Sequence, residues 1–148
     1  MRNTVFSILP ILAVSILVLS GCGSKEPKPE SNPEAEKAAI ESATVWLQLV
    51  DSEKYAESWE EAAEYLKNAV SKDNFQTSLQ AVRKPLGKLA SRNLKSKAYT
   101  TSAPGAPDAE YVIIQYNTSF ENKESAIETV TPMRDKDGIW RVSGYYIR

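Results

Sequence analysis

The chain has no histidine, one cysteine and six glycines among its 148 residues. Histidine is the commonest general base near neutral pH and the commonest metal ligand, so histidine-based catalytic triads and histidine zinc sites are excluded. A single cysteine cannot form a disulfide within the chain. The sequence also has no glycine-rich phosphate loop. We therefore expect no cofactor and no metal, and assign no catalytic residue.

The first 21 residues have the pattern of an export signal. Arg2 supplies a positive charge, and residues 5–19 form an uncharged, mostly apolar run that is too short for an ordinary membrane-spanning helix. The run ends in Leu19-Ser20-Gly21-Cys22, which resembles a bacterial lipobox. Small residues before the cysteine let a peptidase approach the backbone, so we predict a signal peptide over residues 1–21 and a lipidated Cys22. Several acyl chains on Cys22 would anchor the protein in a membrane. The alternative is an ordinary signal peptide that contains a cysteine.

Residues 22–33 are predicted to be a disordered tether. They include Pro27, Pro29 and Pro33 and, after Cys22, no apolar residue. Such chain stays extended at about 3 Å per residue, so it would hold the following domain about 35 Å from the membrane. Gly23 stands where an aspartate commonly signals retention in the inner membrane of Gram-negative bacteria. We therefore expect the inner leaflet of the outer membrane, facing the periplasm, or the cell membrane surface in other bacteria. Nucleic acid is not an expected partner of an exported protein.

Residues 34–148 are predicted to form one α+β domain. Apolar side chains recur at helical spacing over residues 34–50, 55–70 and 73–84, and Pro85 ends the third helix. Strand-like segments then follow at residues 88–100, 110–120, 125–133 and 139–147, with a hairpin signal at Asp137-Gly138. Asp135-Lys136-Asp137-Gly138 is interpreted as a turn, since it lacks the later acidic residues of a calcium loop. We predict three N-terminal helices packed on a curved four-stranded antiparallel sheet.

This order of elements is that of the nuclear-transport-factor-like, or cystatin-like, cone fold. Several blocks of the sequence also resemble domain of unknown function 4019, a family of small bacterial secreted proteins and lipoproteins. The similarity runs from about Ala39 to Arg148 and departs at Glu53, where the family often has glycine. It implies the cone fold but no assigned activity, catalytic residue or cofactor. The similar blocks are Val50–Ala63, Val82–Gly87, Ser91-Arg92, Pro104–Asp108, Glu128–Thr131 and Trp140–Tyr145.

Glu128 is the best candidate for a catalytic acid or base. In cone-fold enzymes the site lies between helices and sheet, and Glu128 alternates with Ala126 and Val130 on one side of a predicted strand. Burial there would raise its pKa toward a useful value. The alternative is that this face of the strand is exposed to solvent and that Glu128 pairs with Arg141 or Arg92 on a neighbouring strand.

Three further residues are candidates for the lining of the same pocket: Gln115, Trp140 and Tyr145. The alternative is that Gln115 and Tyr145 occupy ordinary strand positions. Strict alternation places Trp140, Val142 and Tyr146 on one face of the last strand, where we interpret them as core rather than as a ligand platform.

Positive charge is concentrated in the middle of the chain. Residues 74–107 contain six basic residues and no acidic one, whereas residues 22–73 contain twelve acidic and six basic residues. Arg83, Lys84, Lys88 and Arg92 are therefore a candidate basic face for anionic lipid headgroups or cell-wall phosphates. The alternative is an edge strand protected by lysines and partly paired with the acidic helices.

Three functional hypotheses follow. The first is a non-catalytic lipoprotein of the cell envelope that binds a protein, a glycan or a small hydrophobic ligand. The second is an isomerase or dehydratase that uses Glu128. The third is envelope attachment through the basic segment 83–97. The sequence makes no prediction of oligomeric state.

Overall fold

The computed structural model describes residues 31–148. The predicted signal peptide, Cys22 and most of the predicted tether lie outside these described residues. The elements are α1 (Pro33–Asp51), α2 (Tyr55–Glu60), α3 (Glu64–Ala69), α4 (Lys72–Arg83), a single 3-10 turn (Lys84–Leu86), β1 (Leu89–Thr100), β2 (Tyr111–Phe120), β3 (Lys123–Arg134) and β4 (Trp140–Ile147). None of the helices within this range combines the length and hydropathy needed to cross a membrane.

The long helix α1 begins at a well-formed N-cap and buries one face. The Asn32 side chain accepts a hydrogen bond from the backbone N–H of Ala35 at 3.2 Å, and Pro33 occupies the first turn, where no N–H is required. The buried stripe recurs at helical spacing and contacts the sheet. It includes Ala39, Ala43, Trp46, Leu47 and Val50. The stripe therefore forms the helical half of the core.

The end of α1 contains a residue in an unusual backbone conformation. Glu53 has φ 59°, in the left-handed region that favours glycine. Its N–H donates to the carbonyl of Val50, and the N–H of Lys54 donates to that of Leu49, which together form a Schellman motif. This conformation explains why glycine suits the position where the chain departs from the family pattern.

The predicted second helix over residues 55–70 is wrong in one respect: it is divided into α2 and α3. Ala63 has an extended backbone, with φ −60° and ψ 149°, and its N–H donates to the carbonyl of Val142 on β4 at 2.9 Å. Ala62 and Ala63 are both fully buried. A tertiary hydrogen bond to the sheet therefore interrupts a segment whose periodicity alone favours one continuous helix.

The four strands form one antiparallel sheet in the order β1-β2-β3-β4. Helices pack on one face, and the main core lies between α1 and the sheet residues Val112, Ile114, Val130 and Val142. The register shifts in the β1–β2 pairing, at the end of β2–β3, and opposite Thr131/Pro132 in β3–β4. Such bulges bend strands and increase their twist. The α+β class, the four strands and the turn at residues 135–138 are confirmed.

The left-handed residue at the end of α1 gives a stability prediction. Glu53→Gly removes the steric cost of a side chain at positive φ and should raise the free energy of unfolding by about 1 kcal/mol in urea denaturation. The matched control is Glu41→Gly, an exposed glutamate within α1. There glycine should instead lower the free energy of unfolding by about 1 kcal/mol. Equal destabilisation by both substitutions would contradict the assignment.

Candidate functional site

A cluster of four charged side chains and two hydroxyl-bearing side chains is buried between the helices and the sheet. We call it the buried charge network. Asp51 ends α1 and Arg83 ends α4, whereas the remaining members project from one strand each, so six elements meet here. Its members are Asp51, Arg83, Arg92, Thr118, Glu128 and Tyr145.

Glu128 lies at the centre of the buried charge network and is fully buried. One carboxylate oxygen, Oε2, accepts from Arg92 Nε at 2.6 Å and Thr118 Oγ1 at 3.0 Å. The other, Oε1, accepts from the Tyr145 hydroxyl at 2.5 Å and from Arg92 Nη2 at 3.1 Å, with Arg83 Nη1 at 3.4 Å. Both oxygens of Glu128 are therefore held by donors from three strands and α4.

Asp51 is the second carboxylate of the network and links it to α1. Its Oδ2 accepts from Arg92 Nη1 at 2.7 Å, and its Oδ1 accepts from Arg83 Nη2 at 2.9 Å and Arg92 Nη2 at 3.0 Å. Arg92 thus bridges both carboxylates. Two guanidinium groups face two carboxylates, so the formal charges balance, as a cluster removed from water requires.

The arginines are held in their charged form. Burial opposes the charge on Arg92, but its hydrogen bonds to Asp51 and Glu128 outweigh burial and raise its pKa. Arg83 follows the same pattern, with Tyr145 and then Asp51 raising its pKa. Its guanidinium also lies 4.7 Å from the centre of the Phe120 ring.

Tyr145 is held in its neutral form. Burial raises the pKa of its phenol, and the charge on Glu128 raises it further. The hydroxyl therefore keeps its proton and donates it to Glu128 in a hydrogen bond. The ring is fixed against Trp46, with centroids 5.3 Å apart.

The structure places Glu128 between the two ideas raised for it. The side chain is buried on the face that carries Ala126 and Val130, so the expectation of a solvent-exposed face is wrong. It pairs with Arg92, which lies on β1, two strands away from β3. Arg141, the other suggested partner, instead binds Asp135 at 3.0 Å and Asp137 at 2.9 Å in the turn before β4.

The family comparison covers this whole region. A family model described as Protein of unknown function (DUF4019) matches residues 42–145, well over half of the chain. The chain belongs to this family. No curated protein matches it significantly. Every member of the buried charge network lies within the matched range, so the network is built entirely from the DUF4019 domain.

The other predicted pocket residues of this DUF4019 domain do not join Glu128 and Tyr145. Gln115 faces the opposite side of the sheet, where its side-chain oxygen accepts from Ser96 Oγ at 3.3 Å. Trp140 is at the far end of β4, and its ring packs against the main core. Only two of the four predicted residues, Glu128 and Tyr145, therefore share one site.

The predicted basic face is not continuous in the DUF4019 domain. Arg83 is 5% exposed and the Arg92 side chain 13% exposed, and both point into the buried charge network. Lys84 and Lys88 are exposed to solvent. The four residues therefore do not share a surface, because two of them neutralise Asp51 and Glu128.

Sequence reasoning missed two members of the network. Neither Asp51 nor Thr118 is among the candidates that the sequence predicts. The available signal for Thr118 was its place among apolar alternate residues of β2, which indicates a buried hydroxyl that needs a partner. Asp51 carried no comparable signal, because its partners come from residues 83 and 92.

Two clefts adjoin the DUF4019 core. One, of about 440 Å³, lies between helices α3 and α4 and the β4 edge. We call it the β4 groove. It is lined by Leu66, Val70, Phe75, Ser78, Leu79, Val82 and Gly144 to Ile147.

The other cleft is polar and has a volume of about 1430 Å³. Glu110 in its wall accepts from Arg134 at 2.9 Å and from Tyr99 at 2.9 Å, and these bonds lower the pKa of Glu110. Within residues 31–148, no cluster of three or more acidic, cysteine or histidine side chains is arranged to hold a metal ion.

The network predicts how the domain responds when Glu128 loses its charge. Glu128→Gln leaves two arginines facing one carboxylate, so the free energy of unfolding should fall by about 3 kcal/mol in urea denaturation. Glu124→Gln is the control, since Glu124 is an exposed glutamate on the same strand and should change the value by less than about 0.5 kcal/mol. Equal effects of the two substitutions would show that Glu128 is not held as described.

Proposed function

We propose that this chain is a lipid-anchored lipoprotein of the cell envelope whose DUF4019 domain binds a partner without transforming it. The observation that carries the second half of the proposal is the state of Glu128. Its two oxygens already accept hydrogen bonds from Arg92, Thr118 and Tyr145, with Arg83 close by.

A catalytic base needs an oxygen within hydrogen-bond reach of the proton that it removes. A substrate at Glu128 would have to displace Tyr145 and one arginine, which would leave buried charge unpaired. The same contacts make Glu128 well suited to joining helices to strands. The geometry therefore supports binding better than catalysis.

The lipid anchor is supported by sequence pattern. The proposal includes cleavage after Gly21, acylation of Cys22, and a proline-rich tether before α1. It includes the inner leaflet of the outer membrane as the location in a Gram-negative host, and the cell membrane surface otherwise. The helices-then-sheet order also supports the cone fold, which by itself hosts both enzymes and binding domains.

The two alternative functions have weaker support. An isomerase or dehydratase that uses Glu128 is favoured by the burial of this carboxylate, but not by its occupied oxygens. Envelope attachment through residues 83–97 would rely on the exposed Lys84 and Lys88, since Arg83 and Arg92 are committed to the network.

The anchor is tested by lipid labelling in cells. The unaltered chain should incorporate an alkyne-tagged fatty acid and lose about 2 kDa as the leader is removed, whereas Cys22→Ala should remain unlabelled and keep its leader. Ser24→Ala is the control and should be labelled and processed normally. Labelling of the Cys22→Ala chain would place the lipid elsewhere and contradict the proposal.

The absence of catalysis is tested by turnover. The purified full chain should leave a panel of hydroxy acids, enones and steroid ketones unchanged when products are followed by mass spectrometry. Turnover that Glu124→Gln preserves, and that Glu128→Gln abolishes while circular dichroism shows this variant to be folded, would establish the enzyme alternative and overturn the binding proposal.

A further inference from the structure

We propose that the β4 groove binds an extended peptide segment with apolar side chains, which adds to β4 as a fifth strand. This inference rests on the proposed binding function and names the class of partner. It is carried by the main chain of β4, by the lining of the groove and by the length of the open edge.

The main chain of β4 offers unused hydrogen-bonding groups. Arg148 and Ile127 exchange both of their backbone hydrogen bonds, at 3.0 and 2.9 Å. In an antiparallel ladder, the backbone N–H and C=O groups of every second residue bond the partner strand, and those of the residues between them face away from it. Counting back from Arg148, the N–H and C=O groups of Tyr145 and Ile147 therefore face the open edge. Among the turn, loop and side-chain hydrogen bonds of residues 31–148, none uses these groups.

Only part of the β4 edge is open. At its beginning, the carbonyl of Val142 is occupied by the N–H of Ala63. The open part of the edge is residues 143–147, which follow this contact and span about 17 Å at 3.3 Å per residue. The open edge therefore accommodates a segment of about five residues.

The groove beside this edge is apolar. α4 contributes Phe75, Leu79 and Val82, and α3 with its C-cap contributes Leu66 and Val70. No charged side chain lines the groove, and Val82 is 47% exposed. Alternate side chains of an added strand would point toward α4, as the side chains of Tyr145 and Ile147 do on β4.

The two edge strands of the sheet differ in their protection against pairing with another strand. β1, the other edge, carries Lys88 just before it and Lys95 and Lys97 within it, a pattern that prevents strands from adding. Residues 143–147 of β4 contain no charged residue and no proline. Residues 143–147 therefore lack the usual protection against pairing with another strand, and they lie beside an apolar groove.

An extended peptide fits these features better than a hydrocarbon chain or a second copy. A hydrocarbon would cover the N–H and C=O groups of Tyr145 and Ile147 without bonding them, which is costly. A dimer formed through this edge alone would have only about 17 Å of paired strand, whereas stable interfaces bury about 800 Å² on each partner. Edge pairing plus a helix-lined groove is a recognised way of binding peptides.

The first experiment measures binding to the full chain in lipid nanodiscs. The probe is a capped, fluorescein-labelled pentapeptide of alternating valine and threonine, followed by fluorescence anisotropy. Val82→Glu should weaken binding at least tenfold, because it places a charge in the groove. Val45→Glu is the control: Val45 is 62% exposed on α1, and its substitution should leave binding unchanged. Equal binding by both variants, or no binding by the unaltered chain, would overturn the inference.

A second experiment tests the added strand. N-methylation of the first, third and fifth amides of the probe, or of the second and fourth, removes the donors on one side of the peptide only. One methylated peptide should bind at least tenfold more weakly than the other. Equal binding by the two methylated peptides, or equal displacement of the probe by dodecanoate and by unlabelled peptide, would overturn the added strand and indicate a merely hydrophobic groove. A dimer of the chain that Val82→Glu dissociates in sedimentation would show that a second copy occupies the edge.

Recovery of the probe separates the two proposals. A peptide that binds and is recovered intact by mass spectrometry supports both. A peptide that does not bind and is recovered intact contradicts only the present inference. A peptide that is cleaved or modified contradicts the proposed non-catalytic function.

Discussion

The position of Arg92 between two carboxylates is the contact on which the arrangement of helices and strands depends. From β1 it reaches Glu128 on β3 and Asp51 at the end of α1, while Arg83 brings α4 to the same carboxylates. Burying such charges costs free energy, and hydrophobic residues of similar size in their place often stabilise a core equally well. The arrangement is sensitive, however, because any member removed leaves its partner unpaired. It therefore acts as a constraint on geometry: the helices must sit where these charges meet.

Tyr145 transmits this constraint to the surface. Its hydroxyl bonds Glu128, its ring packs on Trp46, and its main chain forms part of the open β4 edge. Val142 and Tyr145 both face the helices although they are three residues apart, which is possible only because a bulge lies opposite Thr131/Pro132. Pro132 has no N–H to donate to the ladder. The bulge thus turns Tyr145, rather than the residues in strict alternation with Val142, toward the helices and places it beside Glu128.

The sequence predicted those features that depend on local chemistry. Strand positions and the turn at Asp137-Gly138 followed from alternation and turn residues, and Glu128 stood out as a carboxylate at a core-facing position. The division of α2 from α3 depends on a hydrogen bond from Ala63 to a strand almost eighty residues later, and no local pattern encodes it. The same holds for the bulge, which placed Tyr146 outside, 52% exposed, where strict alternation expected core. Arg83 and Arg92 looked like surface charges because the sequence does not show which carboxylates lie opposite them.

The proposed place of ligand binding follows from what fills the space beneath the sheet. In a domain whose helices pack on a sheet, a cavity in that space would be the natural position for a small substrate. Here the buried charge network occupies it, and its balanced charges leave no oxygen of Glu128 without a donor. A ligand that binds at the margin of the domain leaves the network intact. The β4 groove is such a margin, and because its wall includes Tyr145, the network that occupies the interior also holds the proposed binding edge in place.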